Sequence, residues 1–225
     1  MTIKIIKKTD FKDDVNQLEV WDLVKSGFKP SKSVIDFLDE VSLSNKRLLK
    51  IIDLGCGNGR NFVKKDNVKY FGIDFSEKQL ENAREYAEKI DIDVELVKGE
   101  IDKLDKKVFK NEMFDFGLFM GSLHCLESGE KRKRAVKEFY RVLKKGGEGL
   151  ISVWGSEDKR FDCVNNHGDI YMSWERDDKQ YFRYYYLFFK QELINLLEES
   201  GFEILDFIHG EDRFSRKNWV MRVKK

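Results

Sequence analysis

An apolar run from Leu48 ends in Asp53-Leu54-Gly55-Cys56-Gly57-Asn58-Gly59. Alternate glycines let a backbone turn sharply and come close to a ligand that a Cβ would block. The spacing excludes two phosphate-binding devices. A dinucleotide fingerprint G-x-G-x-x-G would need glycine where Arg60 stands, and no Lys-Ser/Thr follows as in a Walker loop. What remains is D-x-G-x-G-x-G. A second acid, Asp74, ends the next apolar run in Gly72-Ile73-Asp74-Phe75-Ser76, and Glu100-Ile101 follows a third. The plain alternatives are a glycine turn without a ligand, a helix-initiating acid at Asp74 and a solvated acid at Glu100.

A second group of residues could place another reactant. The run Phe114 to Met120 leads into Gly121-Ser122-Leu123-His124-Cys125-Leu126, so His124 falls where a strand ends. Its alternative is a packed structural histidine, and His167 and His209 read as uninvolved. From Tyr181 the chain reads Tyr-Phe-Arg-Tyr-Tyr-Tyr-Leu-Phe-Phe, seven aromatics in nine positions. Strand packing explains most of these rings. Arg183 among them suits stacking on a base or clamping an acid. Residues 131–145 hold eight cations and one acid, net +7. A solvated helix face is the favoured reading, and a phosphate-steering patch is the alternative. No metal-ligand cluster is present in the sequence.

The elements that must position these residues follow from periodicity. The chain has 225 residues, 41% of them apolar and 13% aromatic, which excludes a disordered or collagen-like chain. Lys and Arg number 42 against 41 acids, for a net charge of +1. No apolar run approaches the roughly 20 residues of a membrane helix, and Met1 to Asp10 lacks a signal-peptide core. Cys56, Cys125 and Cys163 are odd in number and far apart, against a disulfide framework or thiolate zinc site. A cytoplasmic single domain is expected. Val34, Phe37, Leu38 and Val41 mark one helix. Ser76-x-x-Gln79 opens another with Leu80, Ala83, Ala87 and Ile90 on one face. A third runs through Ala135, Phe139 and Leu143 and should stop at Lys144-Lys145-Gly146-Gly147. A last helix spans Gln191 to Ser200. Strand-like runs cover Leu48–Leu54, Val68–Ile73, Val94–Val97, Phe114–Met120, Leu150–Trp154, Phe202–Ile208 and Asn218–Val223. Their alternation predicts a doubly wound, mostly parallel α/β sheet with an antiparallel finish, its ligands bound at the strands' carboxyl ends. Residues 155–180 show no clear period and read as a lid or binding element.

The D-x-G-x-G-x-G loop resembles motif I of the class I S-adenosylmethionine-dependent methyltransferases. The resemblance implies a Rossmann-like seven-stranded sheet and S-adenosylmethionine as cofactor. It also implies a set of contacts on Asp53, Gly55, Cys56, Gly57, Asn58, Asp74, Phe75, Glu100, Ile101 and Met120. Asp53 would meet the methionyl amino group, Asp74 the ribose hydroxyls and Phe75 the adenine face, with Phe119, Met120 and Gly121 under the sulfonium. A narrower resemblance rests on Gly121 to Leu126, Arg141 to Gly147, Ile151-Ser152-Val153-Trp154, Trp174, Arg183 to Phe188 and Asn218-Trp219-Val220. In order and rough spacing these are similar to the tRNA wobble-uridine carboxymethyl methyltransferases, relatives of the methyltransferase domain of the alkylation-repair homologue. That likeness implies esterification of 5-carboxymethyluridine in the anticodon loop, and a small zinc-binding activator subunit as possible partner, with no metal in this chain. It implies His124, Arg183 and Lys29 at the acceptor. One domain over 1–225 is expected, with an N-terminal helical segment over 1–45 and a lid or substrate-recognition insertion over 155–190. The sequence departs from the family at Gly27, where the family has arginine, and at Cys125, where it has a second histidine. A small-molecule methyltransferase and a non-catalytic donor-binding subunit are the alternatives.

Overall fold

Near-continuous apolar strands set the plan of the molecule, because a strand covered on both faces has no side to give to water. The computed structural model describes residues 3–24, 29–164, 167–208 and 218–225. In chain order come strand β1 (Ile5–Lys7), helix α1 (Gln17–Asp22), α2 (Lys32–Leu43), β2 (Leu49–Leu54), β3 (Val68–Asp74), α3 (Glu77–Ile90), β4 (Val94–Lys98) and β5 (Phe114–Met120). Then follow α4 (Gly129–Val142), β6 (Leu143–Trp154), β7 (Gly168–Arg176), β8 (Lys179–Leu187), α5 (Lys190–Glu199), β9 (Glu203–Ile208) and β10 (Asn218–Lys224).

The main sheet has the order β4-β3-β2-β5-β6-β10-β9. Strands β2 to β6 pair in parallel, and β10 runs antiparallel to both β6 and β9. This is the expected mostly parallel sheet with its antiparallel end. Side-chain alternation divides the core between the two faces: Leu49 and Ile51 of β2 pack with α2, while Ile52 and Leu54 join the cluster holding Phe139 of α4. Connections leave β2 and β5 in opposite directions, so a crevice opens beyond their carboxyl ends.

Ser76 caps α3 where expected. Ser76 Oγ accepts the Gln79 N–H at 3.1 Å, but the Gln79 amide reaches out to the Trp21 and Val24 carbonyls (2.8 and 3.0 Å) instead of closing a box. Helix α4 stops at Val142, earlier than expected, and the backbone turns extended at Leu143. Lys144 to Gly147 are strand, because β6 is held between β5 and the chain end: Gly146 N–H donates to the Lys225 carbonyl at 2.8 Å.

The segment 155–190 carries a short 3-10 helix (Lys159–Val164) and the hairpin β7–β8, to which β1 adds a third antiparallel strand. The N-terminal segment expected to be helical thus also contains a strand, Ile5 pairing with Met172. Asp177 and Asp178 turn the hairpin with φ of +50° and +58°, the sense that suits a two-residue connection. This small sheet has its own apolar cluster of Phe161, Val164, Ile170, Tyr185 and Leu187.

Candidate active site

The loop after β2 folds tightly because Gly55 and Cys56 both donate their N–H to the Ile73 carbonyl, at 2.8 and 3.0 Å. Gly55 and Gly57 sit at φ of +71° and +52°, which favours glycine. A Cβ on Gly55 would lie 2.4 Å from the Ser122 Cβ, whereas one on Gly57 would meet no protein atom within 4 Å. Asp74 closes the loop from β3. Its Oδ2 accepts the Gly57 N–H at 2.9 Å and its Oδ1 the Ser76 N–H at 3.0 Å. Burial raises its pKa against those hydrogen bonds. A carboxylate has about four acceptor sites, so it can still take two hydroxyls.

Asp53 is fully buried, 0% exposed, directly before the loop. One oxygen faces the Asn61 amide at 3.5 Å and the other has no partner. Burial pushes its carboxyl up to about 7, with Asn61 and the Arg60 charge acting the other way.

These groups border a cavity of about 620 Å³, within the roughly 300–1,000 Å³ usual for small-molecule sites. Gly55, Cys56, Gly57, Asn58, Asp74, Phe75, Glu100, Ile101 and Met120 all line it. Asp53 stands behind Asn61, which does. Phe119 does not reach the floor: it packs edge-on against Phe139 in the core, and Met120 and Gly121 form that wall. Glu100 is exposed and lies 3.6 Å from Lys103. Asp102, two residues on, also lines the cavity. Arg134 holds its Oδ2 at 2.6 and 3.1 Å, and its buried Oδ1 has no partner.

The opposite wall carries the second group. His124 is 2% exposed, and its Nδ1 accepts the Trp154 N–H at 3.3 Å, which leaves the ring proton on Nε2. The ring stacks on Trp154 at 5.1 Å, and Trp154 stacks on Tyr185 at 4.1 Å. Burial, aided by the Arg60 charge, lowers the imidazole pKa to about 3, so it is neutral at every ordinary pH. Arg183 lies between the Trp21 and Trp174 rings (5.2 and 4.7 Å), and its buried Nε has no partner. Burial pushes the Cys125 thiol up to about 12, an inert lining group. Lys29 lies elsewhere, exposed beside a recess of about 20 Å³ that shares Arg60, Asn61, Met120 and Asn218 with the main cavity.

Sequence reading missed the roof. Helix α1 starts at the Asn16 cap and crosses the cavity with Gln17 and Trp21, tied down by Ser76 Oγ to Asp22 and by Gln79. Six helical residues are too short a stretch to show a period, so only the Asn16 cap could have signalled it. The +7 stretch is no free stripe: Arg134 pairs with Asp102, Arg141 with Glu138, Lys144 with Asp115 and Lys133 with Glu199. His167 sits away from the cavity against Glu192 and Phe189. Gly27 and His209 fall outside the described residues. Among the described residues no three His, Cys, Asp or Glu are grouped to hold a metal ion, and no helix is long and apolar enough to cross a membrane.

A family described as Methyltransferase domain matches residues 51–147. A putative methyltransferase of Encephalitozoon cuniculi is 35% identical over 171 residues, 73% of this chain and 74% of that one. The tRNA (carboxymethyluridine(34)-5-O)-methyltransferase of Schizosaccharomyces pombe is 29% identical over 221 residues, 88% and 89% of the two chains. A crystal structure of an S-adenosylmethionine-dependent methyltransferase from Clostridium acetobutylicum superposes with a TM-score of 0.65 at 16% identity, covering 92% of this chain and 96% of that one.

Proposed function

The chain belongs to the S-adenosylmethionine-dependent methyltransferases, and we propose that it esterifies the carboxylate of 5-carboxymethyluridine at the wobble position of tRNA. The observation that carries this is Arg183, half-buried in the cavity lining, whose Nε is buried and has no partner. A buried, unsatisfied charged donor is costly unless a ligand completes it. A carboxylate does so in kind. The named activity of the Schizosaccharomyces relative, similar over nearly the whole chain, supports the same acceptor.

The cavity residues fit the donor. Asp53, with one free buried oxygen, would hold the methionyl ammonium directly or through Asn61 or water, and Asp74 the ribose hydroxyls. Gly55, Cys56, Gly57 and Asn58 would leave room for the methionine part, Met120 would lie under the sulfonium, and Phe75, Ile101 and Glu100, which line the same cavity, would border the adenine. When bound, the donor supplies a methyl on positive sulfur, so transfer to a carboxylate forms an O–C bond, breaks an S–C bond and moves no proton. The chain's own task is then alignment and exclusion of water. A neutral His124 is a weak base and suits a reaction needing none; its Nε2–H would direct the acceptor while Arg183 clamps the carboxylate. Lys29 at the adjoining recess would meet the RNA. The reading takes residues 1–225 as one domain, the anticodon loop as partner, a small zinc-binding subunit as activator, and the cytoplasm as location.

The roof over the cavity favours a second reading, a small metabolite as acceptor. Labelled donor and an anticodon stem-loop carrying 5-carboxymethyluridine, with and without the activator, separate the two. An alkali-labile methyl ester on that stem-loop, absent from one with plain uridine, is expected. Donor binding without transfer to the RNA overturns the reading. Turnover of a small acid would then favour the metabolite, and no turnover a donor-binding subunit.

A further inference from the structure

Arg132 is 93% buried in α4 and lines no part of the cavity. A guanidinium is taken out of water only where partners replace its hydration. Here one nitrogen, Nη1, donates to the Leu126 carbonyl at 2.7 Å and to the Tyr184 hydroxyl at 3.1 Å. Tyr184 in turn donates to Asp169, which returns the balancing negative charge. The guanidinium Cζ lies 3.6 Å from the centre of the Tyr186 ring, a cation–π contact.

Those partners belong to two different walls. Leu126 ends the turn that carries His124, and Tyr184 and Tyr186 are on β8. Side chains alternate along a strand, so when Tyr184 and Tyr186 face Arg132, Arg183 and Tyr185 face the cavity. A one-residue slip of β8 against β7 would exchange the two sets, and the Arg132 contacts hold the same register as the Asp177-Asp178 connection.

We propose that Arg132 is a positioning residue for the acceptor half of the site: it pins the His124 turn to β8 and so sets where Arg183 and Tyr185 stand, touching neither substrate. The proposal rests on the carboxylate-acceptor reading for its kinetic readout. It is independent of that reading for its structural one, the near-ultraviolet circular dichroism of the Trp154–Tyr185 stack. R132M is expected to lower kcat/KM for the modified stem-loop at least tenfold, to leave the donor Kd within twofold, and to reduce the aromatic dichroism. R132K, which can reach the Leu126 carbonyl but cannot stack as a plane, should fall between, and Y184F should lose a few-fold. If R132M does not fold, R132K and Y184F are judged by the same measures. R132M with an unchanged aromatic signal, or donor affinity lost in step with transfer, overturns the proposal. A wild-type protein that leaves the stem-loop unmodified overturns the carboxylate reading, and the dichroism still decides the role of Arg132.

Discussion

Replacing Asp53 by asparagine should make the donor-free protein more stable at pH 8 while weakening its hold on the donor. Asp53 is fully buried with one partnerless oxygen, and its carboxyl is pushed from 3.8 up to about 7. The folded state therefore holds this proton more tightly than the unfolded chain does. Below about pH 4 both states are protonated and the site costs nothing. As the pH climbs toward 7 the unfolded chain ionises freely while the folded one cannot, and stability is lost across that window. Three pKa units at about 1.4 kcal/mol each set a ceiling of roughly 4 kcal/mol. Asparagine removes this term at similar volume, and about 2 kcal/mol of gain is expected once its own amide is accommodated. Urea denaturation at pH 5 and pH 8 measures it: D53N should gain at pH 8 and much less at pH 5. Calorimetry at pH 8 should show donor affinity reduced about tenfold or more, as for loss of a charge-assisted hydrogen bond. A D53N protein less stable than wild type at both pH values, or a stability gap that ignores pH, refutes the reasoning.

Arg183→Ala should lower transfer to the stem-loop about tenfold or more with donor affinity unchanged, and lysine should not restore it, because a plane between Trp21 and Trp174 is required. With His124 neutral down to about pH 3, kcat should show no inflection near 6.5 between pH 5.5 and 9; a limb there would mean the imidazole titrates. Gly55→Ala combines a positive φ with a clash on Ser122 and should cost about 2–4 kcal/mol by urea denaturation. Gly57→Ala has the φ but no clash, so about 1–2 kcal/mol is expected, with a larger loss in donor titrations.

The glycine-loop wall of the cavity was legible because its signals are local. The first acid, the glycine loop and the second acid lie within 22 residues, from Asp53 to Asp74, and the loop's glycines are required by their positive φ. Helices α2, α3 and α4 announced themselves through apolar spacing, and α3 also through Ser76. The wall that carries His124 and Arg183 was not legible in the same way. Arg183 could be singled out as a cation among rings, yet nothing local says that β7 pairs with β8 through Asp177-Asp178, a weaker turn signal than Asn-Gly. Nor does Ile5 announce a partner at Met172. Residues 144–147 misled because cations and glycines end helices as readily as they edge a strand, and the pairing that decides between these uses comes from Lys225. Glu100 drew attention by its place in a motif, while burial left Asp102 with the unsatisfied oxygen.

The pairing of β1 with β7 has a consequence for the order in which the enzyme is assembled. As the chain leaves the ribosome, the glycine loop and both of its acids, from Leu49 to Asp74, are available well before Gly168 appears. Ile5 to Lys7, synthesised before that loop, must wait for Ile170 to Met172 before finding their neighbours. The strands under the glycine loop would thus be available to pair before the wall that carries Arg183, and that second wall would be the last to be assembled.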